Sequence, residues 1–206
     1  PLNAETVAGT IAEALKRADP GSAPVYEDGR KAFVKRLHEA VFGTELVGLA
    51  GGSKLAREAA AGTLDAFLDG TMIGGAPLRA HLGGWLGRMR PLRGRPIVTY
   101  HKDYSYFASR FGIRVVEYVE PKPGIQPSAK HLDDLAARLK QGDVQVIVTR
   151  PFVEHRSTDS LAAKTGVQVI TLPIEVGGAP EATDYFKLFD YVTGQLLKAF
   201  GVTAAR

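Results

Sequence analysis

The sequence predicts an α/β fold: a four-stranded, mainly parallel sheet with helices on both faces, preceded by a long linker helix. Three observations support this. From residue 95 onward, short β-branched runs alternate with segments of helical spacing. Strands alternating with helices of about 10–18 residues form parallel sheets. Upstream of that pattern, residues 23–42 read as one unbroken helix, and 43–94 read as short helical pieces broken by glycines.

The elements follow in order. Residues 4–18 place Val7, Ile11, Ala14 and Leu15 on one face of a helix that stops at Asp19-Pro20. The helix over 23–42 carries Tyr26, Phe33, Val34, Leu37 and Val41 on its inner face. It spans roughly 30 Å, enough to connect two lobes. Strands are expected at 96–100, 113–118, 144–149 and 167–172, and helices at 102–111, 128–141, 155–165 and 183–200. The domains are accordingly 1–42 (first helix and inter-lobe linker), 43–94 (helical glycine-rich insertion) and 95–206 (α/β lobe).

Composition narrows the function. The chain has 206 residues, a net charge of +4 and no cysteine, so disulfides, thiol catalysis and thiolate zinc sites are excluded. The basic cluster "GRMRPLRGR" (87–95) is local and lacks the interleaved aromatics of a nucleic-acid surface, so no nucleic-acid partner is expected. The segment "GLAGGSK" (48–54) lacks the spacing of a phosphate loop and follows no strand. No GxSxG, HExxH or paired-carboxylate motif is present. The chain opens at Pro1-Leu2-Asn3 and enters a helix at once, so its start reads as cut, and the missing signal peptide carries no information on location.

His101 is the residue best placed for chemistry. It stands where "PIVTY" ends and the amphipathic stretch "KDYSYFASRFG" begins, at the carboxyl end of a strand, where open α/β sheets bind ligands. Glu175 stands in a matching place beyond "VQVITLP". If their strands are neighbours, about 4.8 Å apart, imidazole and carboxylate can share an ion such as Zn²⁺, Mn²⁺ or Fe²⁺. Two protein ligands leave such an ion short of the usual four. Of the other histidines, His38 is expected on a solvated helix face, His81 and His131 in surface roles, and His155 near the crevice. Asp103 is expected to favour the dipole of the helix after His101. The same pair could instead serve a metal-dependent hydrolase, or the crevice could be metal-free in an interaction module.

Four blocks together resemble a known family. "PLNAETVAGTIAEALKRADPGSAPVYEDGRKAF", "PIVTYHKDYSYFASRFGI", "EPKPGIQPSAKHLDDLAARLK" and "VQVIVTRPFVEHRSTDSLAAKTGVQVITLPIE" resemble, in that order, the carboxyl-terminal half of the metal-binding substrate-binding proteins of ABC importers, the ZnuA/TroA-like group. The resemblance implies an extracytoplasmic (periplasmic or cell-surface) carrier of Zn²⁺ or Mn²⁺ that delivers the ion to an ABC-type membrane permease and is no enzyme. It places the family's late histidine ligand on His101 and its last carboxylate ligand on Glu175, where most members have Asp. Arg150 stands where a glutamate is common. The family's first two histidine ligands belong to a missing N-terminal lobe, and no residue here matches them.

Overall fold

The computed structural model describes residues 1–122 and 124–202. The chain divides into two compact units, Pro1–Arg88 and Met89–Arg206.

In the first unit, α1 (Asn3–Ala18) turns through Asp19-Pro20 into α2 (Ala23–Phe42). Polar side chains tie the two helices together. The Tyr26 hydroxyl donates to Asp19 Oδ2 at 3.0 Å, Lys16 reaches Glu13 and Glu27 at 2.7 and 3.0 Å, and His38 Nε2 lies 3.0 Å from Glu5 Oε2. Leu37, Val41 and Phe42 are fully buried on α2, while Tyr26, Phe33 and Val34 are half-buried. The stripe expected to be the inner face of α1 is not buried. Val7, Ile11 and Leu15 are 56, 54 and 41% exposed, and Ala12 is the buried residue of α1. Periodicity reveals that an apolar stripe exists but not what it faces; α1 meets α2 through the side bearing Glu5 instead.

The next stretch forms α3 (Thr44–Ala50), α4 (Gly52–Ala61) and α5 (Leu64–Gly70). A small antiparallel hairpin that periodicity did not foresee follows, β1 (Met72–Ile73) and β2 (Ala76–Pro77). Then come a 3₁₀ turn at Leu78–His81 and α6 (Gly84–Met89). The glycine joints hold as expected. Leu46, Leu55, Leu68, Leu78 and Trp85 fill the interior, and Arg79 pins the hairpin to α5 by pairing with Asp65 and Asp69. His38, expected in solvent, is 4% exposed, and its ring lies against Gly52. "GLAGGSK" is therefore a packing joint.

The second unit is the α/β body. Strands β3 (Pro96–Thr99), β4 (Arg114–Tyr118), β5 (Val146–Thr149) and β6 (Gln168–Thr171) form a parallel sheet in the order β4-β3-β5-β6. The helices are α7 (Ser105–Phe111), α8 (Ala129–Leu139), α9 (Arg156–Thr165) and α10 (Tyr185–Ala199). Each expected strand and helix is present, within a few residues at its ends. Every residue of β3 and β5 is buried, as befits central parallel strands covered on both faces. Val98, Ile147 and Leu161 join Leu135 and Leu139 of α8 in one core. Phe107 of α7 stacks on Phe189 of α10 at 6.3 Å. The helices are capped as their sequences suggest: Ser128 and Asp184 accept backbone N–H groups at the starts of α8 and α10, and Gly112 and Gly166 end α7 and α9 in left-handed conformation.

Two details position the site. The β3–β4 register slips by one residue between Ile97 and Val98, so that Val98 pairs with Glu117. The ladder then runs past the strands, with Glu120 N donating to the Tyr100 carbonyl at 2.9 Å. Second, the Tyr104 hydroxyl donates to the Leu172 carbonyl at 2.7 Å. That bond ties the segment after β3 to the segment after β6, across the end of β5.

Two measurements check this packing. Gly52→Ala sets its methyl against His38, 2.7 Å from the ring carbon Cγ and 2.8 Å from Cβ, and Glu5 holds that ring in place. The expected cost is about 1–3 kcal/mol, read as a lower urea midpoint at unchanged slope. Burial raises the phenol pKa of Tyr104, and that of Tyr185 to about 12. The unfolded chain therefore loses these protons first as pH passes about 10, and stability falls from there upward. Tyr104→Phe should lower stability at pH 8 by about 1–3 kcal/mol, by orphaning a buried carbonyl, and should flatten the decline above pH 10 in denaturant titrations.

Candidate metal centre

In the order β4-β3-β5-β6, the chain leaves β3 toward one side of the sheet and returns through β5 on the other. The carboxyl ends of β3 and β5 therefore flank the switch point where open sheets bind ligands. His101 stands two residues past β3, and Arg150 follows β5 directly.

His101 is held by its neighbours. Its backbone is extended, and its carbonyl accepts the Thr99 hydroxyl at 2.6 Å. The Tyr100 ring meets the imidazole edge-on at 4.7 Å. The side chain is 16% exposed, and its Nδ1 is buried without a hydrogen-bond partner. The facing group is Glu120, which sequence reasoning missed. Its carboxylate is 9% exposed, with Oε1 3.7 Å from His101 Nδ1. Oε1 also accepts the Gly124 N–H at 2.6 Å. Burial and the Glu120 charge together raise the Tyr100 phenol above its usual pKa. The missed signal lay in "YVEPKPG": a carboxylate just past a strand neighbouring that of His101.

The second expected residue lies further along the sheet. Glu175 is exposed on the loop after β6, and its backbone carbonyl accepts Gly178 N at 3.2 Å. Its strand is not the neighbour of β3, because β5 lies between them. The two strands are thus about 10 Å apart rather than 4.8 Å. The Tyr104–Leu172 bond nevertheless binds the chain three residues after His101 to the chain three residues before Glu175.

The positive charge of Arg150 is matched. Its Nε lies 2.8 Å from Asp103 Oδ2. Asp103 thus serves as the counter-ion of Arg150, and it sits in a 3₁₀ turn (Lys102–Tyr104) rather than in a helix. The remaining histidines lie elsewhere in the fold. His81 Nδ1 lies 2.6 Å from Glu45, His131 Nε2 lies 3.0 Å from the Tyr118 carbonyl, and His155 is the N-cap residue of α9. In the first unit, a cleft of about 330 Å³ is lined by Arg30, Lys35 and His38 among others, and Arg30 and His38 pair with Glu27 and Glu5. Among the described residues, no three His, Asp or Glu side chains converge closely enough to hold an ion by themselves. No described helix is long and apolar enough to cross a membrane.

Several large apolar side chains are exposed on the second unit. Tyr106, Ile125, Phe152, Ile174 and Val176 are 48–93% exposed. They stand on the segments that follow β3, β4, β5 and β6. Phe152 also holds φ at +68°, a left-handed conformation rare for a bulky residue.

Comparison with known proteins agrees with this architecture. The solved structures that resemble the chain include a crystal structure of ZnuA (20% identity, TM-score 0.58, covering 93% of this chain and 54% of that one). They also include the substrate-binding protein FpvC from Pseudomonas aeruginosa in complex with Mn²⁺ (22%, TM-score 0.57, 93% and 57%). A Zn(II)-bound variant of AdcAII from Streptococcus pneumoniae is similar too (19%, TM-score 0.59, 97% and 57%). Among curated sequences, the high-affinity zinc uptake system protein ZnuA of Brucella abortus (strain 2308) is 23% identical over 171 residues, 81% of this chain and 39% of that protein. Its counterpart in Bacillus subtilis (strain 168) is 27% identical over 90 residues, 44% of this chain and 28% of that protein. The chain thus spans about two fifths or less of these relatives. The family described as zinc-uptake complex component A, periplasmic, matches residues 87–199, more than half of the chain, and the chain belongs to that ZnuA family.

Proposed function

We propose that this chain is the carboxyl-terminal part of an extracytoplasmic substrate-binding protein that carries Zn²⁺ or Mn²⁺ to an ABC-type membrane permease. Its α/β lobe supplies His101 and Glu175 to an ion site completed by an N-terminal lobe. The observation that carries this reading is His101 at the switch point of the sheet, its imidazole mostly buried just past the end of β3. Imidazole and carboxylate donors together suit a borderline divalent cation. The Asp103–Arg150 pair supports the reading, because it removes an uncompensated positive charge from the rim of a cation site.

Two exposed apolar features support the existence of a further lobe. One is the rim of side chains beyond the four strands, and the other is the Val7–Ile11–Leu15 stripe on α1. Patches of this kind mark surfaces that another body covers. Transport needs binding and release and no covalent chemistry, in keeping with the missing nucleophile motifs and with a family named for zinc uptake.

Titration of the 206-residue chain with Zn²⁺ tests the reading. Binding is expected to be weak, in the micromolar range or above, because half of the usual four ligands are present. His101→Ala should abolish it, and with it the metal-dependent rise in melting temperature. Nanomolar affinity in the monomer, or binding indifferent to His101→Ala, would overturn the shared site. Asp103→Asn should weaken Zn²⁺ binding several-fold by freeing the Arg150 charge, and the loss should shrink at high salt.

A further inference from the structure

We infer that Glu120 is the positioning residue of His101: its buried carboxylate faces Nδ1, fixes the proton on that nitrogen, and leaves Nε2 as the atom that takes the ion. This rests on the metal-ligand role proposed above for His101.

The placement starts in the backbone. The register slip between Ile97 and Val98 shifts β4 by one residue against β3. Beyond the slip, Val119 N donates to the Thr99 carbonyl and Glu120 N to the Tyr100 carbonyl. His101 is therefore next to Glu120; without the slip it would be next to the apolar Val119. Bulges of this kind re-aim side chains beside functional sites.

The side chains fit the same role. Glu120 Oε1 is fixed by the Gly124 N–H at 2.6 Å and stands 3.7 Å from the buried, unpartnered Nδ1. A closure of about 0.9 Å gives the length of a charge-assisted N–H···O bond. Burying a carboxylate is costly unless it is paired, and the facing imidazole is the partner that the geometry offers. Neutral imidazole carries one ring proton, and the group bonded to one nitrogen decides which nitrogen binds metal. With Nδ1 turned to Glu120, Nε2 on the far edge of the ring is the remaining donor atom. Glu120 therefore acts through the histidine rather than on the ion.

Long-range ¹H–¹⁵N NMR of the histidine rings tests this on the metal-free chain at pH 8, with His101→Ala to assign the signals. The His101 ring is expected mainly as the Nδ1–H tautomer. In Glu120→Leu it should revert to the Nε2–H form that a free histidine side chain prefers, whereas Glu120→Asp should retain Nδ1–H in part. In Zn²⁺ titrations, Glu120→Gln should bind about tenfold or more weakly, the range seen for partners of metal-bound histidines, with the apo fold confirmed by its amide spectrum. An Nε2–H tautomer in the unmodified chain, or a tautomer indifferent to Glu120→Leu, would overturn the inference even if His101→Ala still abolished Zn²⁺ binding. The tautomer is read without metal. An Nδ1–H signal that depends on Glu120, in a chain that does not bind Zn²⁺, would therefore uphold the positioning and refute the carrier reading alone.

Discussion

Strands β3 and β5 are buried on both faces over their whole length, and the placement of polar groups in the second unit follows from that burial. A strand covered on both sides has no position for an unpaired polar side chain except at its ends. The chain therefore carries its imidazole and guanidinium just past these strands, at His101 and Arg150. Because the connections from β3 and β5 diverge, those ends flank the switch point of the sheet.

The charged groups at these strand ends have close neighbours. Arg150 faces Asp103, and Glu120 is held by a backbone amide beside an imidazole. The Tyr104–Leu172 bond adds rigidity across the mouth by joining segments on either side of β5. The loop after β6 thereby keeps a defined relation to His101 although its strand lies two places away.

Residues 87–199 carry the family match, and they include the exposed ring of Phe152 in its left-handed backbone conformation. A conformation of this kind costs of order 1–3 kcal/mol and collects at functional surfaces. The stripe on α1 belongs to the first unit and shows the same excess of uncovered apolar area.

Much of this was legible in the chain itself. The run "PIVTYHKDYSYF" fixed a strand, the place of His101 at its end and the helix after it, because β-branched periodicity and a glycine stop are local properties. The four strands, their helices and the long helix α2 were all legible for that reason. Tertiary structure decided what depends on neighbours far away in sequence. It exposed Val7, Ile11 and Leu15, since a helix pattern does not name its partner, and it buried His38 against Gly52 through a bond to Glu5. It put β5 between β3 and β6, and it paired Asp103 with Arg150. It also brought Glu120 to His101 through a one-residue slip in register, because strand pairing is set by contacts across the sheet and leaves no periodic trace along the chain.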